Sequence, residues 1–432
     1  MEPVILVMLS LVAIFALIML HVPVGIAMTV VGVVSFGLLA NFKAAFSLLA
    51  SEPASIFGTV DIAVIPLFLL MGSFANAGGL ADDIYRLASA LVGRWRGGGA
   101  MATVIGCGLF GSIAGISVAT TATFGKLALP QMRDRGYEPG LAAGTVAAGG
   151  TLGAMVPPSI ILVVYGVIAE QFILDLFVAV IIPAILAVLG YLAAIWIYGW
   201  RNPDAMPTPM AVPRSELREA ARNCIPALIL FGTVSGGIYG GVFTVTEAAS
   251  VGALLTFVIS LLRSKVTMEV FLGALRESAA NTAMIYISII GASIMTYFVG
   301  LTQVSDDLAR QLAQMDFPPL AVIGLLVLLY LILGAIFDEM AAMLITLPFV
   351  LPVVTGLGYD PVWWGVIMLV LINLGMMTPP IGMNVFLLNR LAPDIGLVNI
   401  YRGVMPFILA DLFRLALLIL VPALSLFLVG RL

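Results

Sequence analysis

The chain has 432 residues, of which 62% are hydrophobic and only 10% charged, and its formal net charge is −4. A soluble domain carries about 25% charged residues, so this chain has too few polar side chains to cover a soluble core. A soluble enzyme and a disordered chain are excluded, and so is a nucleic-acid binder, since no basic cluster is present. Long apolar runs specify instead an all-α polytopic membrane protein with spans of about 20 residues.

In chain order, the apolar segments fall near 4–20, 24–40, 57–80, 99–125, 139–168 and 177–200, then near 223–243, 246–262, 278–300, 318–351, 362–389 and 404–430. The first has no Lys or Arg before it and reads as a retained span rather than a signal peptide. His21 falls in the loop that follows. Cys107 and Cys224 sit in apolar contexts and read as small buried hydrophobes. Residues 201–222, with Pro203, Pro207, Pro209, Pro213 and four arginines, read as a cytoplasmic linker between two units, 1–200 and 223–432.

These units repeat each other at an offset of 222. Leu152-Gly153-Ala154-Met155-Val156-Pro157-Pro158 recurs as Leu374-Gly375-Met376-Met377-Thr378-Pro379-Pro380. Gly136-Tyr137-Glu138-Pro139 recurs as Gly358-Tyr359-Asp360-Pro361, and Leu129-Pro130 as Leu351-Pro352. Loop charges then give polarity, because Lys and Arg concentrate in cytoplasmic loops. Loops near 41–56, 81–98, 126–138 and 169–176 hold one (Lys43), three (Arg86, Arg94, Arg96), three (Lys126, Arg133, Arg135) and none. Their counterparts hold three (Arg263, Lys265, Arg276), one (Arg310), none and two (Arg390, Arg402). Similar sequence with opposite polarity predicts an inverted-topology repeat. Two consecutive cytoplasmic loops flank 99–125, so this glycine-rich segment is expected to be a re-entrant hairpin. By symmetry 318–351 is a second one, with Gly334 and Asp338-Glu339 near its tip.

Pro157-Pro158 and Pro379-Pro380 lie inside segments long enough to span, 139–168 and 362–389. Each proline removes a backbone donor, and the first of each pair drives its predecessor out of the α region. Both helices should therefore unwind at mid-membrane, freeing carbonyls and half-helix ends that suit a cation. Thr151, Ser159, Asn373, Thr378 and Asn384 supply further oxygen atoms nearby, a donor set suited to Na⁺. Asp338 and Glu339 interrupt an apolar run, and an intramembrane carboxylate marks a functional site. Asp338 reads as a cation ligand, and Glu339 as lining the cavity or facing water. Asp411 and Arg414 read as a structural pair, Glu247 as interfacial, and Asp61 as interfacial or lining a vestibule. The chain contains no P-loop (Gly125-Lys126 is followed by Leu127) and no H-E-x-x-H.

The stretch from Gly111-Ser112-Ile113-Ala114-Gly115-Ile116-Ser117-Val118-Ala119-Thr120 through Lys126, Leu129-Pro130 and Gly149-Gly150-Thr151 to Pro157-Pro158-Ser159, with Thr378-Pro379-Pro380-Ile381-Gly382, resembles the large membrane subunit of TRAP (tripartite ATP-independent periplasmic) transporters. The resemblance covers the whole chain. It implies an elevator-type, Na⁺-driven permease of the bacterial inner membrane, without enzymatic activity, that imports an organic anion from a periplasmic binding protein. It further implies a small four-helix membrane subunit as a separate chain. One Na⁺ site would use Ser112 or a neighbour with Gly153, Val156 and Pro158, and the other Asp338 with Gly375, Thr378 and Pro380. The substrate would lie near Ser117, Thr120 and Asn384. A stand-alone ion-coupled carrier of the same architecture is the alternative.

Overall fold

The computed structural model describes residues 3–207, 213–263, 267–305, 307, 310–311 and 318–431, and every regular element among them is helical. Pro209 and Lys265, used above, lie outside the described residues. Eight helices are long and apolar enough to cross a membrane, or nine with the bent pair Pro139–Met155 and Ile160–Ile168, whose axes meet at 44°.

Several expected loops are helices. Residues 41–56 belong to Phe42–Gly58, whose N-cap Asn41 accepts the Ala44 N–H at 2.8 Å. Residues 81–98 hold Leu80–Val92, which buries Leu80, Ala81, Ile84, Tyr85, Ala88 and Val92 along one face. Such a stripe leaves the opposite face polar, so average hydropathy misses it. The 126–138 loop shrinks to a turn because Ser117–Asp134 runs through most of it, and the linker shrinks because Arg214 already opens Arg214–Tyr239.

Gly98–Ala114 and Ser117–Asp134 fold back on each other. Phe110 meets Phe124 at 6.0 Å between ring centroids, the Thr103 hydroxyl meets Met132 Sδ at 3.4 Å, and the Gly99 N–H donates to the Tyr137 hydroxyl at 2.8 Å. These pairs are nested around the break at Gly115-Ile116, as in an antiparallel hairpin. Pro319–Ile336 and Glu339–Gly356 form a second one, closed by the Thr346 hydroxyl donating to Tyr330 at 2.6 Å. Residue for residue, Ala114 and Ile336 end the first arms, Ser117 and Glu339 begin the second arms, and Asp134 and Gly356 end them, each pair 222 apart.

The repeated Gly-Tyr-acid-Pro motif has a local cause. Gly136 and Gly358 take left-handed φ values of +83° and +85° just past a helix end. The Gly136 and Tyr137 N–H groups return to the Arg133 and Met132 carbonyls, and those of Gly358 and Tyr359 to Thr355 and Val354. This Schellman closure satisfies orphan carbonyls. The acid then precedes the next helix, where Asp360 accepts the Val362 and Trp363 N–H groups, and Pro139 or Pro361 takes the first helical position, which needs no donor.

The helices that follow, Pro139–Met155 and Pro361–Gly375, are buried along nearly their whole length and form the centre of the molecule. Leu397–Leu420 and Ile181–Arg201 pack around them, while Val24–Leu39 against Met268–Thr302 and Val64–Ala77 against Val245–Leu262 form an outer frame with exposed apolar faces. Where no hydrophobic effect separates helix from lipid, close backbone approach over small residues supplies association. Gly140 and Gly144 face Gly403 so closely that a Cβ on Gly403 would overlap the Gly140 carbonyl. Gly403→Ala is therefore expected to destabilise the protein by about 1–3 kcal/mol, the usual cost of overpacking. Gly273→Ala, with nothing within 4 Å, should stay within about 0.5 kcal/mol. Unfolding midpoints of the detergent-extracted variants measure both; equal midpoints would refute the crossing.

Candidate functional site

Two constellations of the same construction face each other across the core. In the first, Gly111 of the hairpin lies against Gly153 with no room for a Cβ between them, and the Ile160 N–H, just past the break, donates to the Gly115 carbonyl at 3.3 Å. In the second, Gly334 lies against Gly375, and the Gly382 N–H donates to Ala335 at 2.9 Å. Ile160 and Gly382 are again 222 apart. Both Pro157-Pro158 and Pro379-Pro380 peptide bonds are cis.

The prolines leave carbonyls unclaimed. A helical carbonyl accepts the N–H four residues later. For Gly153, Ala154 and Gly375 that residue is Pro157, Pro158 and Pro379, which have no N–H. Gly375 finds a substitute in the Thr378 N–H at 2.8 Å. Nearby hydroxyls keep acceptor capacity while donating to helix carbonyls: Ser112 to Leu109 and Thr378 to Leu374, both at 2.7 Å. Asp338 caps the second arm of its hairpin, its Oδ1 accepting the Ala341 N–H at 2.8 Å, and its side chain is exposed. Among the described residues no cluster of three His, Cys, Asp or Glu occurs. A cation here would meet carbonyls, hydroxyls and at most one or two carboxylates.

Buried polar atoms are almost always hydrogen-bonded. Among the described residues, those without a partner include Thr121 Oγ1, Ser159 Oγ, Glu339 Oε2, Asn373 Oδ1 and Asn384 Oδ1 in the hairpins and broken helices, besides others elsewhere, such as the Tyr85, Ser235 and Ser425 hydroxyls.

Of the expected substrate residues, the structure joins Ser117 and Asn384, whose Nδ2 donates to Ser117 Oγ at 2.9 Å. Thr120 stands apart from that pair, packed against Gly153 and bonded to the Ile116 carbonyl at 3.0 Å. The expectation for Glu339 needs correction. It does not face water: it is 2% exposed, and its Oε1 accepts the Ser117 N–H at 3.1 Å. The acid that faces outward is its neighbour Asp338, because Asp338 ends the extended tip whereas Glu339 begins the helix and turns inward. Val156 is half-buried and Pro158 buried at the first break; Pro379 and Pro380 are exposed at the second.

Asp411 and Arg414 do pair, at 2.9 Å and almost fully buried. Their third member, Tyr191, carries no signal in the sequence. Its hydroxyl donates to Asp411 Oδ2 at 2.6 Å and lies 3.1 Å from Thr151 Oγ1 in the first broken helix. Arg414 also touches Met155 Sδ at 2.7 Å, immediately before that break. Glu247 forms a capping box with Thr244, and Asp61 lines a cavity of about 590 Å³ together with Glu170 and Gln171. His21 sits in a turn, as expected.

Known proteins share this sequence and fold. The model of the DctM component of tripartite ATP-independent periplasmic transporters matches residues 11–424. A C4-dicarboxylate TRAP transporter large permease of Pseudomonas aeruginosa is 34% identical, over 84% of each chain. A sialic acid TRAP transporter large permease of Vibrio cholerae is 30% identical, over 94% of each. Among solved structures, the YdaH transporter of Alcanivorax borkumensis shares the fold, with a TM-score of 0.58 at 17% identity over 89% of each chain. With this match over nearly its whole length, and with helices enough to cross the bilayer many times, the chain belongs to the DctM family of TRAP transporter large permeases, multi-pass proteins of the inner membrane.

Proposed function

We propose that this permease is a Na⁺-driven secondary transporter that imports an organic anion delivered by a periplasmic binding protein, together with a separate small four-helix membrane subunit. Its two halves, 1–200 and 223–432, act as inverted-topology repeats, and the hairpins and broken helices move as one elevator-like body within the outer frame. The observation that carries this reading is the proline-broken helix met by a hairpin tip, built twice with the Pro-Pro doublets 222 residues apart, with unpartnered buried oxygens near both breaks. Such oxygen-rich, discontinuous helices suit a co-transported cation at the bilayer midplane.

In this reading one Na⁺ rests on Gly153, Val156 and Pro158 with Ser112, and the other on Gly375, Thr378 and Pro380 with Asp338. The substrate lies between the hairpin tips, against Ser117 and Asn384, with Thr120 beside the first Na⁺ site. Among the described residues no free Lys or Arg lines this region, since Arg414 is paired with Asp411. An acidic group of the substrate would then be balanced by bound Na⁺ and hydroxyls. Three named relatives support an organic-acid class without choosing within it: one carries C4-dicarboxylates, one sialic acid, and one, 33% identical in Oleidesulfovibrio alaskensis, isethionate.

Reconstitution tests the function directly. Proteoliposomes holding the chain with a small subunit and a binding protein should accumulate substrate only under an inward Na⁺ gradient. Uptake by the chain alone would favour the stand-alone carrier. Asp338→Asn is expected to raise the Na⁺ concentration for half-maximal uptake roughly tenfold, the factor for about 1.4 kcal/mol, without loss of assembly; unchanged Na⁺ dependence would reject Asp338 as a ligand.

Topology has its own test. With the buried Cys107 and Cys224 replaced, cysteines at the exposed positions Arg94 and Asp134 should label only from the cytoplasm. Those at the exposed positions Leu320 and Thr355 should label only from the periplasm. Labelling of either pair from opposite faces would dismantle the re-entrant hairpins.

A further inference from the structure

The atoms left open between the hairpin tips are of one chemical kind. Glu339 Oε1 takes the Ser117 N–H, while Oε2 has no partner, and no ion pair among the described residues involves Glu339. Asn384 Nδ2 donates both to Ser117 Oγ and to the Ala147 carbonyl, at 2.9 and 3.3 Å. A backbone carbonyl only accepts, so the orientation of this amide is fixed, and the atom it leaves unpartnered is Oδ1. Two oxygens, one from the second hairpin and one from the second broken helix, therefore flank Ser117 with no partner.

Glu339 also occupies a place that an acidic ligand would want. The Ser117 N–H opens a helix, and helix N-termini attract anions. Here the protein's own carboxylate already takes that donor. A second carboxylate brought to the same spot finds its N–H donor already taken. A ligand bearing an ammonium or amide N–H meets the opposite: a carboxyl oxygen and an amide oxygen, neither with a partner. Glu339 and Asn384 are themselves buried, beneath a surface where Ala119, Asp338, Pro379 and Pro380 are exposed, so the hairpin tip must part for a ligand to reach them.

On the permease reading, on which this rests, we propose that Glu339 is a specificity-determining residue and that the transported molecule is a zwitterion: a small carboxylate or sulfonate that also carries an N–H donor. Glu339 and Asn384 take the nitrogen end, leaving the acidic end to the hydroxyls and the co-transported cation.

Matched pairs of ligands that differ only by an amine test this. The permease is purified with its small subunit, and its unfolding midpoint is titrated in NaCl and in choline chloride. The probes are aspartate against succinate, glutamate against glutarate, and taurine against isethionate. At least one amine-bearing member is expected to protect the protein where its amine-free counterpart does not. Glu339→Gln should weaken that ligand roughly tenfold or more, the factor for one lost charge-assisted hydrogen bond, and should narrow the gap to its counterpart. Glu339→Asp, which keeps the charge, should retain the preference; a preference kept in Glu339→Gln overturns the proposal. If Glu339→Gln does not fold, the preference of the unaltered protein decides. Protection by the amine-free members alone overturns the proposal and leaves the permease reading intact, whereas protection by no ligand overturns both. A Glu339→Gln variant with unchanged ligand preference but a shifted Na⁺ requirement would assign Glu339 to a cation from solution and also overturn it.

Discussion

Inside a bilayer no water is available to a backbone carbonyl that has lost its helical partner. This chain places two adjacent prolines in each of two central helices, and so strips donors from Gly153, Ala154 and Gly375 at the depth where they are hardest to replace. The surrounding architecture accommodates that loss. A hairpin tip is brought against each break, and a single backbone bond, Ile160 to Gly115 or Gly382 to Ala335, ties tip to break. Gly111 against Gly153 and Gly334 against Gly375 allow the approach. Protein encloses the non-helical backbone at the first break, whereas Pro379 and Pro380 stay exposed at the second. Where enclosure stops short of satisfying every oxygen, the remainder is available to an ion or a ligand.

That arrangement needs a rigid back wall. Behind the first break, Thr151, Tyr191, Asp411 and Arg414 form one buried chain of contacts reaching Met155. A buried ion pair is weak evidence for net stability, but removing one partner leaves a charge stranded, at a cost of about 3–5 kcal/mol. The pair therefore enforces one placement of the helix end without adding a charge to the ligand-facing side. Among the described residues nothing equivalent backs the second break, whose Pro379 and Pro380 are exposed and whose Pro380 and Ile381 carbonyls accept from Tyr401.

The sequence declared what depends on backbone chemistry and concealed what depends on three-dimensional packing. Proline doublets were legible because each acts through its own peptide group, and the two hairpin segments through loop charges and the 222-residue repeat. Twelve apolar segments were expected where eight or nine helices are long enough to span, and the helices Phe42–Gly58 and Leu80–Val92 were missed, since a half-buried stripe averages to a polar stretch. Tyr191 was invisible because an isolated tyrosine in an apolar helix has no pattern; its role exists only once Asp411 and Thr151 converge on it. For a related reason the sequence left Glu339 open between lining the cavity and facing water, and the structure excludes only the second. One residue separates an N-cap that points outward from a first turn that points in, and hydropathy cannot resolve a single residue.

The departures from internal symmetry carry the most information. Ser117 and Glu339 hold the same position in the two hairpins, and they bond to each other across the centre. A twofold-related scaffold would offer two equal helix N-termini to a ligand. By placing a hydroxyl at one and a carboxylate at the other, this chain converts a symmetric junction into one with a donor-rich side and an acceptor-rich side. The exposed second break and the enclosed first break point the same way: the architecture is duplicated, whereas its chemistry is polar from one hairpin to the other.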